Sequence, residues 1–148
     1  MWSKATVRFD RVVGRQSYRI HRWLYRRTGG LIGHRTAAGT MLLLTSVGRR
    51  SGQLRTNPLL YMADGERYLV VGSNGGRPQP PAWLLNVAAN PKVRVQVGRR
   101  TAVAEALILS DEDRAAVWPR MIEYYSGWDY YGQLTERTLR VVSITPVA

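Results

Sequence analysis

Short apolar runs with a two-residue period recur along most of this chain and predict a protein built mainly from β-strands. The clearest run is at residues 93–97, where valines alternate with Arg94 and Gln96. Further strands are predicted at about 41–47, 54–62, 67–72, 101–109 and 139–145, and Asp64-Gly65 is a strong hairpin signal. Six short strands joined mostly by hairpins favour a closed or split antiparallel barrel, because that architecture leaves few open sheet edges.

Two helices are expected to flank the strands, which gives an α+β class that is mainly β. Pro81 suits the first turn of a helix that contains Trp83 and Asn86 and ends near Asn90-Pro91.

The second helix is expected to begin after Ser110, where three acidic residues fill the first turn in a capping-box pattern, and to run toward Tyr125. Pro119 lies inside this stretch. It is expected either to kink the helix after Trp118 or to divide it in two.

Composition excludes several classes of enzyme. A chain of 148 residues is long enough for one core, and it has neither a Gly-x-Gly-x-x-Gly turn nor a Walker-type Gly-Lys-Ser/Thr. It has no cysteine, which removes disulfides and thiolate chemistry and agrees with a cytoplasmic location. The two histidines, His21 and His34, both precede the predicted barrel, so neither a Ser-His-Asp triad nor a metal site is expected.

The net charge of +12 is concentrated in the amino-terminal arm, defined as residues 1–39 with their glycine-rich linker, whereas residues 40–148 form the predicted barrel domain. Only Asp10 opposes the basic residues before position 36, which are Lys4, Arg8, Arg11, Arg15, Arg19, Arg22, Arg26, Arg27 and Arg35. The arm lacks the long apolar run of a transmembrane helix or signal peptide. Its interleaved aromatic residues suit either an amphipathic helix on the anionic inner face of the cell membrane or a helix that caps the barrel. No specific nucleic-acid module is visible.

A second basic feature lies between the first two predicted strands. Arg49, Arg50 and Arg55 fall within seven residues, and Gly48 and Gly52 bound a tight turn. Guanidinium groups and convergent backbone amides bind phosphate and carboxylate oxygens, so the expected partner carries several negative charges.

The order of motifs from about Leu24 to Val147 resembles the deazaflavin-dependent nitroreductase family of split-barrel oxidoreductases, which use coenzyme F420 as hydride carrier. The resemblance rests on Val47-Gly48-Arg49-Arg50-Ser51-Gly52, Arg55, Asn57-Pro58, the loop from Ser73 to Gly76, the Trp83 to Asn86 box, Asn90-Pro91-Lys92-Val93 and Trp118-Pro119. It implies an enzyme that passes hydride from reduced F420 to a small planar quinone, enone or nitroaromatic.

The resemblance also implies a set of cofactor contacts. The tail of F420 would meet Arg49, Arg50 and Arg55, assisted by backbone amides of the turn. The ring would lie near a second set of residues. The full set of implied cofactor residues is Arg49, Arg50, Ser51, Gly52, Arg55, Pro58, Gly72, Ser73, Asn74, Trp83 and Asn86. The alternatives are a solvated turn, a plain hairpin loop at residues 72–74, and a core role for Trp83.

An aromatic cluster follows the second helix. By resemblance, Tyr125, Trp128 and Tyr131 shape the substrate pocket together with Leu60, and Tyr125, Tyr131 and Ser73 are the candidate catalytic groups. Their spacing of three predicts one continuous helical surface, and the alternative is packing against the barrel. Relatives have a tyrosine where Trp128 stands, so a hydroxyl is missing there.

Two rival functions remain open at this stage. One is an FMN-dependent split-barrel enzyme, against which the three arginines argue because the single phosphate of FMN needs fewer cations. The other is a carrier that binds F420 at a membrane without catalysis.

Overall fold

Antiparallel strands curl into a half-barrel in the computed structural model, which describes residues 22, 23, 25–27, 35, 36 and 39–147. The strands are β1 (Arg35–Thr36), β2 (Gly39–Val47), β3 (Leu54–Leu60), β4 (Met62–Asp64), β5 (Arg67–Val71), β6 (Lys92–Val97), β7 (Arg100–Ile108) and β8 (Val141–Pro146). The helices are α1 (Ala82–Ala89), α2 (Asp111–Tyr124) and α3 (Gly127–Gln133), with a short 3₁₀ turn at Asn74–Gly76.

The sheet runs in the order β1-β2-β6-β7-β8-β5-β4, and β3 pairs with β2 as well. Registers are continuous across the middle of the sheet, since Leu44 faces Asn57 on β3 and Val95 on β6. The predicted split antiparallel barrel with flanking helices is therefore confirmed.

Two apolar layers hold this sheet. Inside the curl, alternate residues of the central strands pack against one face of α1, with Leu42, Val95 and Ile144 among the most buried. Outside the curl, β5 and β8 pack against α2 and α3 through residues such as Met121 and Leu139. The strands are buried on both faces there, and each layer positions one set of helices.

The predicted strand at 54–62 is wrong in one respect: it divides into β3 and β4 at Tyr61. That side chain is 8% exposed inside the barrel, and its amide donates to the Thr40 carbonyl on β2. β3 pairs with β2, whereas β4 pairs with β5. The chain therefore turns a barrel corner at Tyr61, although the apolar pattern continues through it.

Pro119 does not divide the second helix, because α2 is continuous from Asp111 to Tyr124. A proline here removes one donor to the carbonyl four residues earlier, at Ala115. Both residues are exposed, so water can satisfy that carbonyl and the helix continues. Ser110 caps the helix as predicted, since its hydroxyl accepts from the Asp113 amide at 3.1 Å.

Part of the amino-terminal arm packs on the barrel. The described residues 22, 23 and 25–27 are helical, and Tyr25 is fully buried. The Tyr25 hydroxyl accepts from the Gly98 amide at 2.7 Å and lies within hydrogen-bond distance of the Gln96 and Met41 carbonyls. This burial raises the pKa of Tyr25. This part of the arm caps the barrel. The membrane prediction concerns mainly residues 1–21, which lie outside the described residues.

Candidate functional site

The basic turn forms the first part of the site. Hydrogen bonds across it close the turn, because the Gly48 amide donates to the Gln53 carbonyl at 2.7 Å and the Gly52 amide donates to the Gly48 carbonyl at 2.8 Å. Gly52 has φ 71°, a conformation that glycine adopts without strain. The Gly52 amide is thus engaged within the turn, and this geometry does not favour its predicted contact with an anion. The side chains of Arg50 and Arg55 are exposed.

Ser51 is exposed next to these arginines, and its hydroxyl accepts from the Gln53 amide at 3.2 Å. This contact is local and helps to shape the turn. The segment 48–58 contains no acidic residue. The turn therefore presents positive charge that no neighbour along the chain neutralises.

Asn86 on α1 positions this turn. Its Oδ1 accepts from the Arg49 backbone amide at 3.1 Å and from Arg49 Nη1 at 3.3 Å. Asn86 is 4% exposed. Its amide group is used to hold Arg49, and the predicted hydrogen bond from Asn86 to a cofactor is not favoured by this geometry.

The loop at residues 72–77 forms the second part of the site. A Cβ added to Gly72 would lie 2.9 Å from Leu84 Cδ2, so this glycine lets α1 pack closely on the end of β5. Asn74 has φ 46°, and its Nδ2 donates to the Gln79 carbonyl at 2.9 Å. The loop is built with its own internal contacts, and Ser73 is half-buried within it.

Arg137, which the sequence pattern does not single out, fixes this loop. Its guanidinium donates to three loop carbonyls: Nε to Arg77 at 3.0 Å, Nη1 to Gly72 at 3.0 Å and Nη2 to Ser73 at 2.8 Å. The partial burial of the guanidinium lowers the pKa of Arg137. The planar fork of an arginine suits three acceptors on a tight loop.

The aromatic cluster forms the third part, although not as one helical surface. Tyr125 has extended backbone angles and lies between α2 and α3, whereas Trp128 and Tyr131 are on α3. The rings of Tyr125 and Trp128 nevertheless meet edge to face, with centroids 5.3 Å apart. Leu60, at the end of β3, packs against the same cluster.

Two of the predicted site residues are core residues here. Trp83 is 5% exposed in the inner layer, and Trp128 is 3% exposed in the outer layer. Neither presents an open wall to a ligand in this structure. Trp128 instead packs against Tyr125, which is half-buried, as is Tyr131.

Helix α1 and helix α3 join the three parts. On α1, Leu84 contacts Gly72 of the loop and Asn86 holds the basic turn, and these two residues are separated by about 3 Å of helix rise. On α3, the Tyr131 carbonyl would lie 2.7 Å from a Cβ on Gly76, so the helix packs directly on the loop. Pro58 is buried on β3, on the same side of the strand as Leu60. These contacts link the basic turn, the loop at residues 72–77 and α3 through neighbouring elements.

No group of three metal-ligating side chains occurs within the described residues. No helix in the same part of the chain is long and apolar enough to cross a membrane.

An antiparallel half-barrel with flanking helices is the fold of the split-barrel class of flavin and deazaflavin proteins. The chain belongs to the F420H(2)-dependent quinone reductase family, whose family profile matches residues 17–146. This membership confirms the resemblance found in the sequence, the prediction of an F420-dependent reductase and the choice of F420 as cofactor.

Individual relatives agree with this assignment. The chain is 39% identical over 140 residues to a Mycobacterium tuberculosis protein named F420H(2)-dependent quinone reductase Rv1261c, covering 92% of this chain and 94% of the relative. A solved F420-H2 dependent reductase (FDR-A) has a TM-score of 0.64 and 34% identity, covering 70% of this chain and 92% of that one. A structure described as a domain-swapped dimer has a TM-score of 0.68 and 31% identity, covering 85% of this chain and 93% of that one.

Proposed function

We propose that this protein delivers hydride from reduced F420 to a quinone, with enones and nitroaromatics as alternative small planar acceptors. The observation that carries the proposal is the link through α1 between the basic turn and the loop at residues 72–77. Asn86 holds Arg49 in the turn, and Leu84 packs on Gly72 of the loop. A cofactor with an anionic tail and a planar ring needs these two kinds of surface next to each other.

The residues present fit the tail of F420. The exposed guanidiniums of Arg50 and Arg55 would hold its phosphate and carboxylates, since arginine binds such groups through paired N–H donors. Arg49 would assist from the same turn, in the orientation that Asn86 gives it. Ser51 and Gly52 would act by shaping the turn, because their groups bond within it.

The residues around the ring have separate tasks. Bound reduced F420 would supply the hydride. The backbone at Pro58 and at residues 72–74 would border the ring, with the Ser73 hydroxyl and the Asn74 amide as candidate donors to its polar edge. Arg137 keeps the Gly72 and Ser73 carbonyls in place.

On the acceptor side, we assign the substrate surface to Leu60, Tyr125 and Tyr131, supported from behind by Trp128. A tyrosine hydroxyl, of Tyr125 or Tyr131, is the candidate donor for the proton that follows hydride transfer, and solvent is the alternative. Because Trp128 is buried, the presence of tryptophan rather than tyrosine at this position changes the packing of this surface rather than its polar contacts.

The test combines binding with turnover. Arg50→Gln and Arg55→Gln are each expected to weaken F420 binding by about 1 to 2 kcal/mol, the lower part of the range for charged hydrogen bonds because both side chains are exposed. Arg99→Gln, an equal charge change at an exposed position on the β6-β7 turn, is the control.

Isothermal titration with F420 and with FMN measures cofactor binding. Oxidation of reduced F420 by a panel of quinones measures turnover. Unchanged F420 affinity in both turn variants contradicts the assignment of the tail site. Binding of F420 without any turnover across quinones, enones and nitroaromatics would instead favour the carrier function.

The membrane assignment is a separate proposal: the arm places the protein peripherally on the inner face of the cell membrane. Because Tyr25 is buried in the barrel, the informative truncation removes residues 1–21 and keeps residue 25. The truncated protein is expected to lose sedimentation with anionic vesicles and to keep F420 binding. A full-length protein that ignores those vesicles contradicts this proposal.

A further inference from the structure

We infer that a basic pocket on the outer face of the barrel binds the distal glutamates of the F420 tail, an inference that rests on the proposed function. The pocket, called the outer pocket below, has a volume of about 610 Å³. Its polar lining includes four arginines, Arg22, Arg26, Arg55 and Arg94, and the hydroxyls of Thr45 and Thr56. This volume lies within the range of ordinary small-ligand sites.

The sheet places several of these groups in a row. Arg94 on β6 faces Thr45 on β2, and Thr45 faces Thr56 on β3. The two threonine hydroxyls are 2.8 Å apart. Since neighbouring strands are about 4.8 Å apart, the row spans about 10 Å from Arg94 to Thr56. Arg55 adjoins Thr56 at the end of this row.

The arm supplies the other side of the outer pocket. Arg22 and Arg26 are four residues apart in the helical segment and therefore project from the same face. Arg22 Nη1 donates to the Thr56 carbonyl at 2.9 Å, and Arg26 Nη2 donates to the Thr56 hydroxyl. Each guanidinium has five N–H donors, so these bonds orient both arginines and leave further donors for a ligand.

The charge of the outer pocket selects an anion. No acidic residue occurs among its lining residues in the described part of the chain. Arg22 and Arg26 converge on Thr56, whereas Arg94 is two strands away, about 10 Å along the row, so a single compact anion such as phosphate could not meet all of them. A flexible chain with carboxylates at intervals could meet all of them. The spacing therefore favours an oligocarboxylate.

Arg55 connects this pocket with the proposed cofactor site. It lines the outer pocket and also belongs to the basic turn that would hold the proximal tail. A tail that passes Arg55 would first meet the arginines of the arm beside Thr56 and then Arg94 at the other end of the row. Residues of the arm and of the barrel strands would then bind a long tail more tightly than a short one.

The experiment compares two forms of F420, one with several glutamates and one that ends before the first glutamate. Their dissociation constants are measured at low and high salt for the full-length wild type and for Arg94→Gln and Arg22→Gln. We expect the wild type to bind the long form about tenfold more tightly at low salt and to lose much of that preference at high salt. Each variant should reduce the preference about threefold without changing the affinity for the tailless form.

Arg99→Gln is the matched control and should keep the full preference, since its exposed side chain is not part of the pocket lining. Circular dichroism of Arg94→Gln, an exposed strand position, shows whether the fold is kept. Equal affinity of the wild type for both forms overturns this inference and leaves the proposed function intact. A preference that survives in both pocket variants also overturns it. Failure of both forms to bind overturns the proposed function as well.

Discussion

Arg137 gives the sharpest test of how the site is held together. The substitution Arg137→Gln removes three donors from the carbonyls of Gly72, Ser73 and Arg77, which lie at 3.0, 2.8 and 3.0 Å from the guanidinium. One hydrogen bond from a charged donor contributes about 1.5–3 kcal/mol. The three bonds do not add fully, because Arg137 is only partly buried and water can replace some of them. We expect a loss of about 2 kcal/mol in the free energy of unfolding.

The same change should affect the loop more than the rest of the barrel. Equilibrium urea unfolding gives the global loss, and amide hydrogen exchange should show faster exchange at residues 72–77 than at the centre of the sheet. Arg137→Lys keeps the charge, but the compact ammonium group of lysine cannot reach three acceptors as a planar guanidinium does. Most of the loss in the free energy of unfolding should therefore remain. F420 affinity should fall in both variants if this loop borders the ring.

Arg140→Gln is the control for Arg137→Gln because it makes the same charge change three residues along. The Arg140 side chain is 39% exposed and pairs with Asp111 on the surface, so about 0.5 kcal/mol is expected. The reasoning is refuted if Arg137→Gln costs no more than Arg140→Gln, or if exchange in the loop is unchanged.

Three further predictions concern the parts that support the site. Tyr25→Phe removes the hydroxyl that accepts from the Gly98 amide and should cost about 1–2 kcal/mol in urea unfolding, whereas no loss would mean that the cap adds little. Trp128→Ala should cost about 3–5 kcal/mol in the same assay because the ring is buried, and a cost below about 1 kcal/mol would indicate an open pocket instead. The hydrogen bond from Arg67 holds the pKa of Asp64 below its ordinary value, so its contribution is present at neutral pH and is lost as pH falls through the lowered pKa. Asp64→Asn should therefore cost up to about 1 kcal/mol at pH 7 and progressively less as the pH falls through the lowered pKa, and a cost that does not change with pH would contradict the linkage.

The sequence predicted the barrel well because strand signals are local. The alternation at 93–97 places Val93 and Val95 in the core, and the Asp64-Gly65 turn joins β4 to β5 as expected. The corner at Tyr61 was not predictable in this way, because the residues on both sides of it are apolar and the strand pattern continues without a break. Its position depends on which partner strand each half meets, and that is a property of the closed sheet.

The site was predictable only where charge or backbone conformation marks it. The basic turn has a visible signal in its arginines and glycines, and the structure places it where the pattern puts it. Arg137 has no such signal, since its acceptors are backbone carbonyls about 60 or more residues earlier in the chain. Trp83 and Asn86 have a signal that fits two roles. A tryptophan and an asparagine three apart can face a ligand or face the protein, and only the packing of α1 decides between them.

That packing also places the basic turn, the proposed tail site, close to the loop at residues 72–77, the proposed ring site. Asn86 reaches the basic turn from the buried side of α1, and Leu84 reaches Gly72 from the same short helix. A larger side chain at position 72 would meet Leu84 Cδ2, and either the Leu84 side chain or α1 itself would have to move. A movement of α1 would shift Asn86 and its two bonds to Arg49 as well. The glycine at position 72 therefore allows α1 to pack closely on the loop, a role that its place in a hairpin loop does not reveal.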